Sequence, residues 1–144
     1  MRVRFRSRLA LQFFALVVLA GCNRGPKMVP VTGKVIYNGH PLEFGTVMFQ
    51  PSHGQAAQGD IQPDGTFSLS THRLNDGVVL GTHKVRIACY ESMRPGAAKG
   101  PGERSLGKPL VPEKYTTFDL SGLTADVSDT STNDFTFELS GPPG

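Results

Sequence analysis

The chain has 144 residues, with 15 Lys+Arg against 12 Asp+Glu and a formal net charge of +3. Four of those bases, Arg2, Arg4, Arg6 and Arg8, lie in the first eight positions, so residues 22–144 hold 11 bases against 12 acids. A net charge of −1 over that stretch removes the case for a nucleic-acid partner that a basic chain would make, and about 120 residues suffice for one domain with a real core but not for two.

Leu9 to Ala20 is apolar except for Gln12. A basic start, an apolar stretch and small residues at its end make a secretory signal. As a helix the twelve apolar-run residues would cover roughly 18 Å at ~1.5 Å each, short of a hydrocarbon core of about 30 Å, so a membrane span is disfavoured. The run closes on Leu19-Ala20-Gly21-Cys22, which resembles the lipobox of bacterial lipoproteins at all four positions. A thiol is a good nucleophile for taking up a diacylglyceryl group, and Ala20 and Gly21 leave room for a peptidase. The resemblance implies cleavage between Gly21 and Cys22, diacylglycerol on the Cys22 sulfur and an acyl chain such as palmitate on the new amine. Two or more chains anchor stably where one does not. An ordinary signal peptide that happens to contain cysteine is the alternative.

On the lipobox reading, residues 1–21 are the signal peptide and 22–28 a lipidated tether, with Gly25 and Pro26 as spacer. Asn23 stands where an Asp would resemble an inner-membrane retention signal. The expected location is the periplasmic face of the cell envelope, at the outer rather than the inner membrane. With Cys22 committed to lipid, Cys89 is the one remaining cysteine. No intrachain disulfide is expected, and the domain relies on its hydrophobic core.

The domain spans residues 29–140. Val29, Val31, Val35 and Tyr37 alternate with polar residues, which predicts a half-buried strand, and Asn38-Gly39 is a strong hairpin turn signal. Thr46 to Gln50 is a second strand, with Val47 and Phe49 on one face and Pro51 as its stop. Gly59 to Gln62 and Thr66 to Ser70 read as a hairpin about Pro63-Asp64-Gly65. Thr82 to Tyr90 is the longest strand, with His83, Val85, Ile87 and Cys89 inward and Lys84, Arg86 and Tyr90 outward. Cys89 is expected to pack as a small hydrophobe.

Residues 91–112 hold four prolines, four glycines and almost no large apolar residue. A loop of that length in one domain is functional or disordered. Leu123, Ala125 and Val127 then alternate, as do Phe135, Phe137 and Leu139, and 141–144 reads as a frayed tail. About seven short strands with regular turns predict an all-β fold, an antiparallel β-sandwich.

Val31-Thr32-Gly33-Lys34-Val35, Asn38-Gly39 with Pro41-Leu42, Gly45-Thr46-Val47 and Phe49 to Pro51 together resemble the opening of carboxypeptidase-regulatory-like domains. Asp64-Gly65-Thr66-Phe67 resembles the turn before the next strand of such domains. Val111-Pro112-Glu113-Lys114-Tyr115 and Ser121-Gly122-Leu123-Thr124 resemble a signature of small lipoproteins abundant in planctomycete bacteria. The resemblance implies a transthyretin-like Greek-key sandwich and a non-catalytic module. Such a module usually accompanies a larger enzyme, whereas here it follows an anchor directly.

His40, His53, His72 and His83 show no metal-ligand spacing, so no metal or other cofactor is expected and the histidines read mostly as solvated. The transthyretin-like fold also hosts hydroxyisourate hydrolases, but their C-terminal Tyr-Arg-Gly-Ser is replaced here by Gly-Pro-Pro-Gly. Lys84 to Lys114 holds seven bases and three acids, and Tyr115 to Gly144 five acids and no base. Two oppositely charged solvated patches account for this simply. The functional reading makes Arg94, Lys99, Arg104 and Lys108 candidate contacts to anionic lipid headgroups or to an envelope protein or polymer. The expected function is that of a non-catalytic structural or binding module of the envelope. The alternatives are a hydroxyisourate-hydrolase-type enzyme and a carbohydrate-binding module, though with no Trp and three Tyr the aromatic platform of the latter is thin.

Overall fold

Pro30 interrupts the first alternating stretch, and a proline has no N–H to give a ladder. In the computed structural model, which describes residues 25–97 and 105–144, the stretch is accordingly two strands, β1 (Met28–Val29) and β2 (Thr32–Tyr37). Asn38 and Gly39 both take positive φ, 49° and 83°, the conformation a tight two-residue hairpin needs. They turn β2 into β3 (His40–Pro41), with Tyr37 opposite His40. The remaining strands are β4 (Thr46–Pro51), β5 (Ala57–Asp60), β6 (Thr66–Ser68), β7 (Val78–Val79), β8 (Gly81–Ala88), β9 (Leu123–Val127) and β10 (Asp134–Leu139). Two short 3-10 turns, Glu91–Met93 and Glu113–Thr116, are the only helical segments among the described residues.

The strands form two four-stranded sheets and a small pair. One sheet runs β5-β4-β8-β9, antiparallel throughout. In the other, β2 is flanked by β10 on one side and paired antiparallel with both β3 and β6. β1 pairs with β7. The two large sheets share one core, in which Phe49 of β4 meets Phe135 and Phe137 of β10 edge-on at 5.7 and 6.0 Å between ring centroids. Val35, Val47, Phe49, Val85 and Ile87 are completely shielded from solvent. The chain is thus an all-β, sandwich-like domain.

Four expectations are corrected. β10 pairs parallel with β2, so the second sheet is not wholly antiparallel. The chain crosses from β9 through residues 128–133 and enters β10 at the end where β2 also begins, and a crossover between sheets lifts the hairpin's antiparallel constraint. β5 and β6 do not form a paired hairpin. The turn closes locally, with the Gln62 N–H on Thr66 O at 2.8 Å, but the arms join different sheets and meet again only at the Gln58–Ser70 bridge. Gly59 permits that crossing, since a Cβ there would lie 2.1 Å from Ser68 O.

The segment 91–112 is only partly irregular, because its arms are zipped together. The N–H groups of Leu110, Glu91 and Ser92 donate to the carbonyls of Cys89, Lys108 and Leu106, and Val111 is fully buried. Gly141, expected in a frayed tail, is clamped: its carbonyl accepts from Tyr37 Oη at 2.8 Å and its N–H donates to Asn38 Oδ1 at 3.2 Å.

The registers give the sandwich two ends. β2, β5, β8 and β10 start, and β4, β6 and β9 finish, at the same pole as β1, β7 and the loops 52–56, 69–77 and 128–133. The turns at 38–39 and 61–65, the arms of 89–112 and the tail lie at the other.

Candidate functional site

The residues with the sharpest expected chemistry, Gly21 and Cys22, lie outside the described residues, as do Lys99 and Arg104. Arg94 and Lys108 are described, and the paired arms bring both to the pole opposite β1. Arg94 lays its guanidinium over the Phe44 ring at 5.4 Å, a cation–π contact that holds its apolar stem down while the charge faces water. Lys108 is positioned by its backbone, whose N–H donates to Glu91 Oε2 at 3.1 Å. Arg94 and Lys108 therefore stand on an ordered base.

Beside that base runs a strap, residues 110–122, across the end and outer face of the β5-β4-β8-β9 sheet. Tyr115 and Thr116 of the strap are buried, and Tyr115 Oη accepts from the Ser140 N–H at 3.4 Å. Arg86 on the outer face of β8 packs its guanidinium over Phe118 at 5.1 Å and donates to Thr116 O at 3.2 Å. Lys84 meets Asp119 at 2.7 Å, but both are exposed and such a pair contributes little. Four of the seven bases thus divide into two settings: Lys84 and Arg86 lie against the strap, and Arg94 and Lys108 face outward.

A concave surface of about 1070 Å³ lies along β5 and β6, reaching the loop 70–75. Its wall mixes apolar surface with amides, hydroxyls and charged groups, among them Gln55, Gln58, Asp60, Ser68, Arg73 and Asn75. The loop beside it is rigidly tied: the Asp76 carboxylate accepts from the N–H groups of Thr71, His72 and Arg73 at 2.7 to 2.8 Å. Desolvation pushes the Asp76 carboxyl up, but those three N–H groups outweigh it and hold it below the usual value. The groove residues come from four separate stretches, 32–33, 55–62, 66–75 and 134, with no shared motif, which is why no sequence pattern marks them.

Comparison with known proteins finds no match: no family model, no curated protein and no solved structure is significantly similar to this chain.

Cys89 is buried, and desolvation pushes its thiol up to about 11 against the opposing charge of Arg94. A thiol so protonated at neutral pH is a packing group rather than a nucleophile. Among the described residues no three His, Cys, Asp or Glu side chains gather as a metal site, and no helix is long and apolar enough to cross a membrane. His40, His53 and His72 are exposed as expected, but His83 is not: it is completely buried in the core. Its alternation with Val85 and Ile87 signalled an inward side chain. What its nitrogens would meet there had no signal.

Proposed function

We propose that this protein is a lipid-anchored envelope module of the carboxypeptidase-regulatory-like kind, with a transthyretin-like Greek-key sandwich, that holds a basic binding end away from its membrane. The observation that carries this reading is the opposition of the two poles. The tether enters at β1, whereas Arg94 and Lys108 sit on the arms at the other end of β8. Eight residues of β8 at ~3.3 Å each separate the poles by about 26 Å, and Cys22 to Met28 reach at most roughly 25 Å at ~3.5 Å per residue. Lipidated at Cys22, the domain keeps its β1 pole near the bilayer and offers Arg94 and Lys108 to an acidic envelope protein or polymer. Of the two partners open to a basic segment, the anchoring membrane is the one this arrangement disfavours. Support for the fold comes from successive strands that change sheet, β5 to β6 and β9 to β10. The role is non-catalytic, located at the periplasmic face of the outer membrane.

Two experiments test it. Cys22→Ser is expected to leave an unprocessed precursor that takes up no labelled palmitate; unchanged labelling refutes the anchor. A photo-crosslinker at position 108 should then capture envelope protein or polymer in intact cells, and one at position 53 should capture lipid. The reverse pattern refutes the orientation. The groove along β5 and β6 favours a second reading, a carbohydrate-binding module, because uncommitted amides such as Gln55 and Gln58 suit a polyhydroxylated ligand. A glycan array separates the two: binding there with no adduct at position 108 replaces the first reading by the second.

A further inference from the structure

His83, the third residue of β8, has none of its surface exposed. Its ring lies 5.7 Å from that of Phe49 on β4, and its cross-strand partners are Pro51 on β4 and Ala125 on β9. Nε2 is 2.9 Å from Val79 O, so Nε2 carries the proton and donates it to that carbonyl. Among the described residues Nδ1 has no hydrogen-bond partner, and it is buried. The neutral ring therefore leaves one lone pair unmatched. A second proton would place both an unpaired N–H and a charge in the same closed site, which is far more costly.

The surroundings offer little relief. β4 contributes Phe49 and Pro51, and β7 contributes the Val79 carbonyl; none of these titrates. Asp126 on β9 favours the imidazolium, but its carboxylate already accepts from Thr82 Oγ1. Lys84 alternates to the outer face of β8 and pairs with Asp119. Burial prevails over Asp126 and the Val79 bond, and holds the His83 imidazole below its ordinary value.

Val79 is the second residue of β7, and the strand partner of β7 among the described residues is β1, the first strand after the tether. Each of the two strands is two residues long, so the pair depends on what ties β7 to the sandwich. We propose that His83 is a proton-operated latch: neutral, it ties β7, and through it β1, to the sandwich; protonated, it leaves its pocket and the β1–β7 pair opens. Gly81, between Val79 and His83, has φ 120° and open space where a Cβ would be, so the link from β7 to β8 has room to rearrange. On the anchor reading, opening would add the β1 residues to the tether and lengthen its reach on acidification. The latch itself does not depend on that reading.

The test is amide exchange by mass spectrometry on the full chain in detergent micelles, corrected for the intrinsic pH dependence of exchange. Between pH 7.5 and 5.0, residues 28–29 and 78–79 should lose at least tenfold in protection while β2, β4 and β10 keep theirs. His83→Phe, which fills the site without titrating, should abolish that loss. The same loss in His83→Phe, an equal loss across all strands, or no loss would each overturn the latch. Should His83→Phe not fold, the His83 ring resonance of the unmodified chain decides: it must titrate in step with the exchange, and any other midpoint overturns the proposal. Repeating the measurement on Cys22→Ser separates the two ideas, since the latch persists there whether or not the anchor exists.

Discussion

The two poles of this sandwich are tied down by different means. At the β1 pole the chain is held by polar bonds within short loops: Asp76 gathers three backbone N–H groups, and Asn133 bonds Ser128 twice across the 128–133 turn. At the opposite pole the longest irregular segment is held by backbone pairing of its arms and by apolar anchors, Val111 and Tyr115, sunk into the core. The carboxylate bonds of Asp76 respond to pH, whereas apolar anchors respond to loss of volume. The comparison teaches that a perturbation can be addressed to one end.

The largest expected effect is one that should erase the difference. Phe49 touches His83, Phe135 and Phe137, so it lies between the ends and belongs to both. Phe49→Ala is expected to cost about 3–5 kcal/mol in a urea titration, with exchange at both poles rising together. Fraying at one pole alone would show the core to be divided.

Acidification comes next and should separate the ends in sequence. A group whose folded pKa is depressed below its unfolded value, as for His83, favours folding above the unfolded value. For His83 that contribution is complete above about 6.5 and is lost as pH falls from there, because the unfolded chain binds the proton first. The β1 pole therefore loosens first. Asp64, at the opposite pole, is held low by the Thr66 hydroxyl and N–H, and Asp76 is low at the β1 pole. Their contributions are present above about 3.9 and are lost as pH falls through their folded values, so both ends weaken there. Exchange measured from pH 7.5 to 2.5 should show one pole failing and then two. Simultaneous loss would contradict the assignment.

The smallest effect sharpens the comparison from the other side. Arg94→Ala with Lys108→Ala removes two exposed charges from the base of the arms, and surface changes of this kind are usually close to neutral. The urea midpoint should stay in place while adducts from the crosslinker, moved to position 106, disappear. A shifted midpoint would make these residues structural.

Much of this architecture was legible in local patterns. Alternation located Val47 and Phe49, His83 to Cys89, Ala125 to Val127 and Phe137 to Leu139 on inner faces, because a half-buried strand must repeat with period two. Asn38-Gly39 and Pro63-Asp64-Gly65 marked their turns through residues that accept positive φ or bond their own backbone. The resemblance of Leu19 to Cys22 to a lipobox, and the expectation built on it, likewise rest on local sequence alone. Of the outward candidates, Arg94 and Lys108 could be named from the chain, but not that they stand at the pole opposite β1.

What tertiary structure decided is everything that depends on which strand lies beside which. Period two is the same for parallel and antiparallel neighbours, so the parallel β2–β10 pair left no trace in Phe135 to Leu139. The turn at Asp64-Gly65 is satisfied locally whether its arms pair or part, so only packing sent β5 and β6 to different sheets. The clamp on Gly141 needs Tyr37 and Asn38, more than 100 positions away in the chain. His83 shows the same division within one residue. Its place on the inner face followed from its neighbours in sequence, while the carbonyl that accepts from Nε2, and the lack of a donor for Nδ1 among the described residues, came from strands that only the fold assembles around it.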